Sequence, residues 1–319
     1  MNHVGTVDVE RAAATWREHG WVLCEGLVDR DTIDAAVADL ALVFPTPEQY
    51  HADPDGERRR RLGTPPPSDE AYVWPPDGPG FRPLQHAWKR DFPFPGSGAL
   101  NRLLVHPAIV ELMTSALGAD DVVVYQAQLT AKYTGFTNYE QPLHTDRNHS
   151  WLPARHGPPW DHVEGFLYLS DVTDGTAPTR LVSVRDSVRH DPGEPLVLPA
   201  WDPELYASER PAAGPRGSLL AYRNDVFHRA VDLTEPGGAR FLLNVSYKVA
   251  DRDWIGYHAW QSHANSSEWV AFVEGSTARE LALLGFPPPG HRVWDAALLD
   301  ATARRYPNLD LRPWREALR

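Results

Sequence analysis

Val122-Val123-Val124-Tyr125-Gln126-Ala127-Gln128-Leu129-Thr130-Ala131-Lys132-Tyr133 alternates along its length. Val123, Tyr125, Ala127, Leu129, Ala131 and Tyr133 fall on one face, and Gln126, Gln128, Thr130 and Lys132 on the other, the period of an extended strand. A polar strand face normally meets water, but inside an enzyme barrel it lines the cavity. The run from Arg240 to Val249 repeats the pattern. Arg240, Leu242, Asn244, Ser246 and Lys248 share one side, while Phe241, Leu243, Val245, Tyr247 and Val249 share the other. Arg240 and Asn244 are therefore read as pointing inward.

Outward from these strands the pattern changes. A helix is expected from Asp8 to His19, stopped at Gly20, and a second from Thr32 to Val43 with Asp31 as its N-cap and Ile33, Ala36, Val37 and Leu40 at helical spacing. Pro45 to Gly98 carries twelve of the thirty prolines and an arginine run, Arg58 to Arg61, and reads as an irregular insertion or lid. A solvated loop balanced by Asp53, Asp55 and Glu57 is the reading of that run. A helix pair follows, with Pro107 in a first turn and Gly118 as a C-terminal cap. Beyond residue 250 the chain turns helical again, with a capping box at Thr277-Ala278-Arg279-Glu280 and a helix from Trp294 to Tyr306 before Pro307. Many short strands between Gly, Pro and Asp turns, flanked by helices, predict a mainly β chain: a double-stranded β-helix, the jelly-roll form shared with cupins. Residues 1–319 are read as one domain, with 45–98 as the insertion and 250–319 as a helical extension.

Composition narrows the function. A chain that is 42% hydrophobic can bury a large core, and a formal charge of −12 argues against non-specific nucleic-acid binding. Cys24 is the only cysteine, so neither an intrachain disulfide nor a cysteine zinc site can form. It sits in an apolar run and reads as a small buried hydrophobe. No leader and no membrane span is seen, so a soluble cytoplasmic protein in a reducing compartment is expected.

Gln141-Pro142-Leu143-His144-Thr145-Asp146, answered by His228 in Asp225-Val226-Phe227-His228, is the ligand set of a mononuclear non-haem iron site. Two imidazoles and one carboxylate fill one face of an octahedron and leave the other face open. An i, i+2 pair on a strand puts His144 and Asp146 on one side. With 14 histidines and 43 acidic residues, a bare His-x-Asp is expected by chance. Arg240, twelve residues after His228, adds weight, because an arginine there suits the distal carboxylate of a dicarboxylic acid.

With these residues in place, the chain resembles the phytanoyl-CoA dioxygenase family of iron(II)- and 2-oxoglutarate-dependent oxygenases. The resemblance runs from about residue 10 to 250, through Trp16-Arg17-Glu18-His19-Gly20-Trp21-Val22-Leu23, Tyr168-Leu169-Ser170-Asp171-Val172-Thr173, Gly217-Ser218-Leu219-Leu220-Ala221-Tyr222 and the Arg240 strand. It implies Fe(II) on His144, Asp146 and His228, 2-oxoglutarate on Arg240 with Gln141 and Thr179 as further hydrogen-bond partners, and dioxygen at the last position. The implied reaction oxidises, most simply hydroxylates, a C–H bond and releases succinate and carbon dioxide. Asp146 disfavours halogenation, since related halogenases carry a small residue there. Desaturation, epoxidation and cyclisation depend on how the substrate is posed. Ser183-Val184-Arg185-Asp186-Ser187 departs from the Pro-Gly-Ser-His segment that shapes the cavity mouth in relatives. The expected substrate is a specialised small molecule, secondary-metabolite or amino-acid-derived.

Arg147, Asn148, Trp151, Tyr125, Arg223 and Trp254 are candidate substrate contacts. His149, His156, His162 and His190 read as solvent-facing or hydrogen-bonded, and His258 and His263 as remote from the metal. Two other readings fit the same fold: a cupin-like metal-dependent isomerase or lyase without 2-oxoglutarate, which needs no cation at Arg240, and a non-catalytic jelly-roll binding module.

Overall fold

The computed structural model describes residues 7–62, 72–73, 80–81, 88–92, 94, 96–135, 140–146, 149–153, 157–191, 196–256, 270, 273–278, 281 and 286–318. The alternating segments become strands. β1 (Trp21–Cys24), β9 (Leu219–Arg223), β6 (His162–Tyr168), β11 (Ala239–Val249), β5 (Val122–Tyr133) and β4 (Lys89–Asp91) form an antiparallel sheet in that order. β2 (Tyr72–Val73) and β3 (Gly80–Phe81) pair separately. β10 (His228–Arg229), β7 (Arg180–Leu181) and β8 (Arg210–Pro211) make a smaller sheet. Bridges His144↔His228 and Leu143↔Val197 extend it, so the His144 segment lies beside β10.

The two sheets share an interior core, in which Tyr168, Leu220, Tyr222 and Leu242 of the larger sheet meet Leu181 of the smaller and Ala212 and Val226 from the segments flanking it. The outer face of the larger sheet is covered by helices, and its Leu129, Ala131, Leu167, Leu243 and Val245 pack with residues of α1 (Val9–His19), α2 (Arg30–Ala38), α6 (Gly98–Leu103) and α7 (Pro107–Leu117). The polar residues of β5 thus have only the interior to face. Gln126, Gln128 and Lys132 are buried.

One irregularity alters the reading of β5. Against β11 the register slips between Ser246 and Tyr247, which face Gln126 and Val124, leaving Tyr125 as the extra residue of a bulge. Val124 packs towards the helices, and Tyr125 turns inward to donate its hydroxyl to Glu164. The expected placement of Tyr125 with Leu129 and Ala131 is corrected by that single inserted residue.

Helix boundaries follow capping chemistry. α1 begins at N-cap Asp8 and ends at Gly20, whose φ of 82° is left-handed. A Cβ there would lie 2.6 Å from side-chain carbons of both Val184 and Val226. The second expected helix starts two residues earlier than the sequence reading. Asp29, not Asp31, is the cap, accepting from the Thr32 backbone N–H at 2.9 Å and the Thr32 hydroxyl at 2.7 Å. The helix then breaks at Asp39 before α3 (Leu40–Val43).

The insertion is not irregular throughout, for α4 (Pro47–Ala52) and α5 (Pro54–Leu62) occupy its first part. The arginine run lies on α5 and not in a loop. Its charges are balanced as expected: Arg60 pairs with Asp53 and Glu57, Arg61 with Glu57, and Arg58 with Asp55.

α7 carries Pro107 at its start and Gly118 as its cap, as expected. α8 (Pro203–Ser208) packs Leu205 beneath the smaller sheet. In the C-terminal part, Ala296–Arg305 is a helix capped by Asp295, and Arg312–Ala317 is a further one absent from the sequence reading. Of the Thr277 capping box, Arg279 and Glu280 lie outside the described residues. Cys24 is buried, and burial raises its thiol pKa to about 11. Among the described residues no helix is long and apolar enough to cross a membrane.

Candidate metal centre

His144, Asp146 and His228 come together although eighty-three residues lie between the first and last of them in sequence. Their ligand atoms all lie within 4.8 Å of one another. Paired backbone hydrogen bonds fix the spacing: His144 N–H donates to the His228 carbonyl at 3.0 Å, and His228 N–H to the His144 carbonyl at 2.9 Å. The two rings sit with centroids 4.6 Å apart.

Each ring is oriented by its own chain. His144 Nδ1–H donates to the Pro142 carbonyl at 2.9 Å, and His228 Nδ1–H to the Val226 carbonyl at 3.0 Å. A carbonyl only accepts, so both Nδ1 atoms carry the proton and both Nε2 lone pairs are free to bind a metal. Burial, reinforced by the neighbouring His228, lowers the His144 pKa to about 4, which keeps it neutral near pH 7. Burial alone would raise Asp146, but His228, His149, His144 and the Tyr222 hydroxyl outweigh it and hold the carboxyl well below the usual carboxylate range. Asp146 Oδ2 lies 3.5 Å from His228 Nε2 and accepts from Tyr222 at 2.8 Å. Two imidazoles that turn Nε2 inward and a held carboxylate suit a divalent cation.

Arg240 is buried on the inner side of β11, as read from the alternation, and donates to the Ala177 carbonyl. Directly across the ladder stands Lys132, also buried. Burial and then the like charge of Arg240 push its pKa well below the ordinary lysine value, with Asp232 opposing in part. A buried guanidinium with a buried amine across the ladder offers an anion site, because an entering anion favours the ammonium form of the amine. In the sequence, Lys132 is legible only as one polar residue of an alternating strand.

Gln141 and Thr179 differ in setting. The Gln141 side-chain oxygen accepts from the Ala230 backbone N–H at 3.0 Å, while the Gln141 backbone N–H donates to the Ala230 carbonyl. It serves the edge of the smaller sheet. Thr179 is buried two residues beyond the carbonyl that binds Arg240.

The candidate substrate contacts separate. Arg223 forms a two-point pair with Asp225 and donates to the Arg17 carbonyl, so it fastens α1 and does not line the mouth. Trp151 and Trp254 are core residues of the C-terminal cluster. Tyr125 faces the interior through the bulge. Arg147, Asn148, His156, His258 and His263 lie outside the described residues. The Ser183 to Ser187 segment is docked on the end of α1, with Ser183 against His19 and Arg185 against Glu18.

Of the four minor histidines, His190 is bonded to Asp202 at 2.8 Å. His149 and His162 are buried, not solvent-facing, and join Glu164 in a second ligand-like cluster. Its signal was present in the sequence, for His162-Val163-Glu164 repeats the His-x-acid spacing of His144-Thr145-Asp146. A separate cavity of about 850 Å³ lies outside the barrel among Val28, Ile33, Val37, Leu40, Phe44 and Phe241 and holds none of the triad.

No protein-family model matches the sequence, and no curated protein matches it. Solved structures do. EctD from S. alaskensis in its apoform superposes with a TM-score of 0.53 at 18% identity, over 82% of this chain and 89% of that one. The epimerase SnoN, solved in complex with Fe3+, alpha-ketoglutarate and nogalamycin RO, gives 0.51 at 16% identity, over 76% and 84%. The non-heme alpha ketoglutarate dependent carbocyclase SnoK from nogalamycin biosynthesis gives 0.50 at 18%, over 77% and 88%. The chain is a double-stranded β-helix. In that jelly roll the larger sheet supplies Arg240, Lys132 and Tyr222 from its inner face, and the smaller sheet with its bridged edge supplies the triad.

Proposed function

We propose that the chain, as a single catalytic domain, is an Fe(II)- and 2-oxoglutarate-dependent oxygenase that hydroxylates a C–H bond of a small organic molecule. The observation that carries this reading is the pairing, in one jelly-roll interior, of a two-histidine, one-carboxylate triad with a buried arginine–lysine pair. A metal-dependent isomerase or lyase has use for the triad and none for the second feature. The fold it shares with SnoN, whose structure holds Fe3+ and alpha-ketoglutarate, supports the same reading.

His144 and His228 would hold the iron through Nε2, and Asp146 would give it its anionic ligand. Arg240 would take the distal carboxylate of 2-oxoglutarate in a bidentate, charge-assisted pair, with Lys132 adding charge beside it. Thr179 and Gln141 are the further candidates for that ligand, Gln141 the weaker because its oxygen is already engaged. Bound iron and cosubstrate supply the oxidising chemistry, in which substrate, dioxygen and 2-oxoglutarate become hydroxylated product, succinate and carbon dioxide. The protein's part is to bind, orient and exclude water.

The substrate class is a specialised small molecule, secondary-metabolite or amino-acid-derived, and a reducing cytoplasm is the setting that keeps the iron ferrous. The similar structures include one named an epimerase and one named a carbocyclase. The test is succinate formation from ¹³C-labelled 2-oxoglutarate with Fe(II), ascorbate and air. Iron-dependent succinate that disappears in Asp146→Ala supports the proposal. Tight metal binding with no succinate above the Asp146→Ala background contradicts it.

A further inference from the structure

The polar face of the larger sheet carries a second convergence of ligand atoms. The register sets Gln126, Ser246, Glu164 and Tyr222 in one row across β5, β11, β6 and β9. His162 stands two residues before Glu164 on the same face of β6. Glu164 is almost fully buried and accepts from the hydroxyls of Tyr125 and Ser246 and from His149 Nδ1 at 2.6 Å. His162 is fully buried, its Nε2 3.5 Å from the same Glu164 oxygen.

The tautomer of His162 is decided by its surroundings. Its Nδ1–H donates to the Trp160 carbonyl at 3.1 Å. This is the device that orients His144 and His228, each bonded to the carbonyl two residues before it. Nε2 of His162 is therefore a lone pair, and it is buried without a hydrogen-bond partner. It faces the lone pairs of a carboxylate with no proton between them. That contact is repulsive, and a cation between the two groups makes it attractive. Among the described residues, only this cluster and the triad bring three such ligand atoms within 4.8 Å of one another.

We propose that His149 Nδ1, His162 Nε2 and Glu164 Oε1 form a second divalent-metal site, suited to a zinc-class ion and distinct from the triad. Two imidazoles and a carboxylate, with a fourth place for solvent or Tyr125, match zinc preference. Ligand atoms around tetrahedral zinc stand about 3.3 Å apart. The 2.6 and 3.5 Å separations to Glu164 reach that with small side-chain shifts. The ion takes the place of the proton that His149 shares with Glu164. Its effect reaches the triad through the backbone, because His149 N–H donates to the Asp146 carbonyl at 2.9 Å. An occupied second site would tie the turn that carries Asp146 to β6.

The inference does not depend on the oxygenase reading, and zinc stoichiometry separates the two. Metal-free wild-type protein dialysed against Zn(II) is expected to hold two ions per chain by elemental analysis. His144→Ala/His228→Ala is expected to hold one, and adding His162→Gln to that variant to leave none. One ion in wild type and none in His144→Ala/His228→Ala overturns the second site while leaving the triad intact. One ion that survives His144→Ala/His228→Ala and is lost in His162→Gln does the reverse. Anomalous scattering at the zinc edge from wild-type crystals covers the case in which a variant misfolds. A peak enclosed by His149, His162 and Glu164 supports the site, and no peak there at saturating Zn(II) overturns it.

Discussion

The Tyr222 hydroxyl donates to Asp146 Oδ2 at 2.8 Å, so a residue of the larger sheet orients the carboxylate of a triad whose histidines belong to the smaller one. Burial, with Asp146 and Glu164 next, raises the Tyr222 pKa well above the ordinary tyrosine value, which keeps the phenol a donor at any working pH. Removing such an outer partner weakens metal sites by about 10- to 100-fold. Tyr222→Phe is expected to lower Fe(II) affinity by that order with the fold unchanged. Calorimetric titration of Fe(II) under argon, beside near-UV circular dichroism, measures both, and an unaltered affinity would show that Asp146 needs no such support.

Lys132→Met tests the buried cation pair. The substitution removes the charge beside Arg240 and keeps most of the volume. The half-saturating concentration of 2-oxoglutarate should rise about tenfold, the value of roughly 1.4 kcal/mol, while metal content stays constant. Protein stability should hold or improve, since the desolvation that Lys132 suffers in the interior is relieved. A large fall in Tm would mean that Lys132 is structural.

Stability of the metal-free protein should peak near pH 6.5. His144 and His162, each lowered by burial to about 4, bind protons more weakly folded than unfolded. Their contribution is complete above the unfolded histidine value and is lost as pH falls towards 4. His149 has the opposite sign. Burial would lower it, but Glu164 and Asp146 prevail and raise it to about 9, so its contribution is complete below 6.5 and is lost as pH rises through 9. Urea unfolding between pH 5 and 10 checks this, and a curve rising steadily to pH 9 would contradict the assignment of His149.

Gly20→Ala should destabilise the chain by more than the roughly 1–2 kcal/mol that a left-handed L-residue costs, because the new methyl also meets Val184 and Val226. Thermal denaturation reads it directly. A Tm unchanged within a degree would mean that the α1–β1 corner relaxes freely.

Much of this architecture was written in strand alternation. β5 matches its expected boundaries and β11 starts one residue earlier than expected, and Arg240 faces inward, because a period of two leaves little freedom once one face must be buried. Tyr125 was misassigned since a bulge inserts one residue without any mark in the pattern. α4 and α5 were missed because proline was read as a breaker, whereas Pro47 and Pro54 stand at helix starts, where no N–H is needed. The triad was legible through spacing and residue type. Lys132 was not, because its residue type alone reads as an ordinary polar position, and the second cluster is only half legible, since His162-Val163-Glu164 shows the His-x-acid spacing while the fold alone brings His149 to it.

The most direct test of the central claim is anaerobic addition of Fe(II) to the purified protein with and without 2-oxoglutarate, followed by visible absorption. A weak charge-transfer band that needs both components, and that Arg240→Ala shifts to much higher 2-oxoglutarate concentrations, is the predicted result. Tight iron binding with no band at any 2-oxoglutarate concentration would contradict the oxygenase assignment and favour a metal-dependent isomerase or lyase on the same jelly roll.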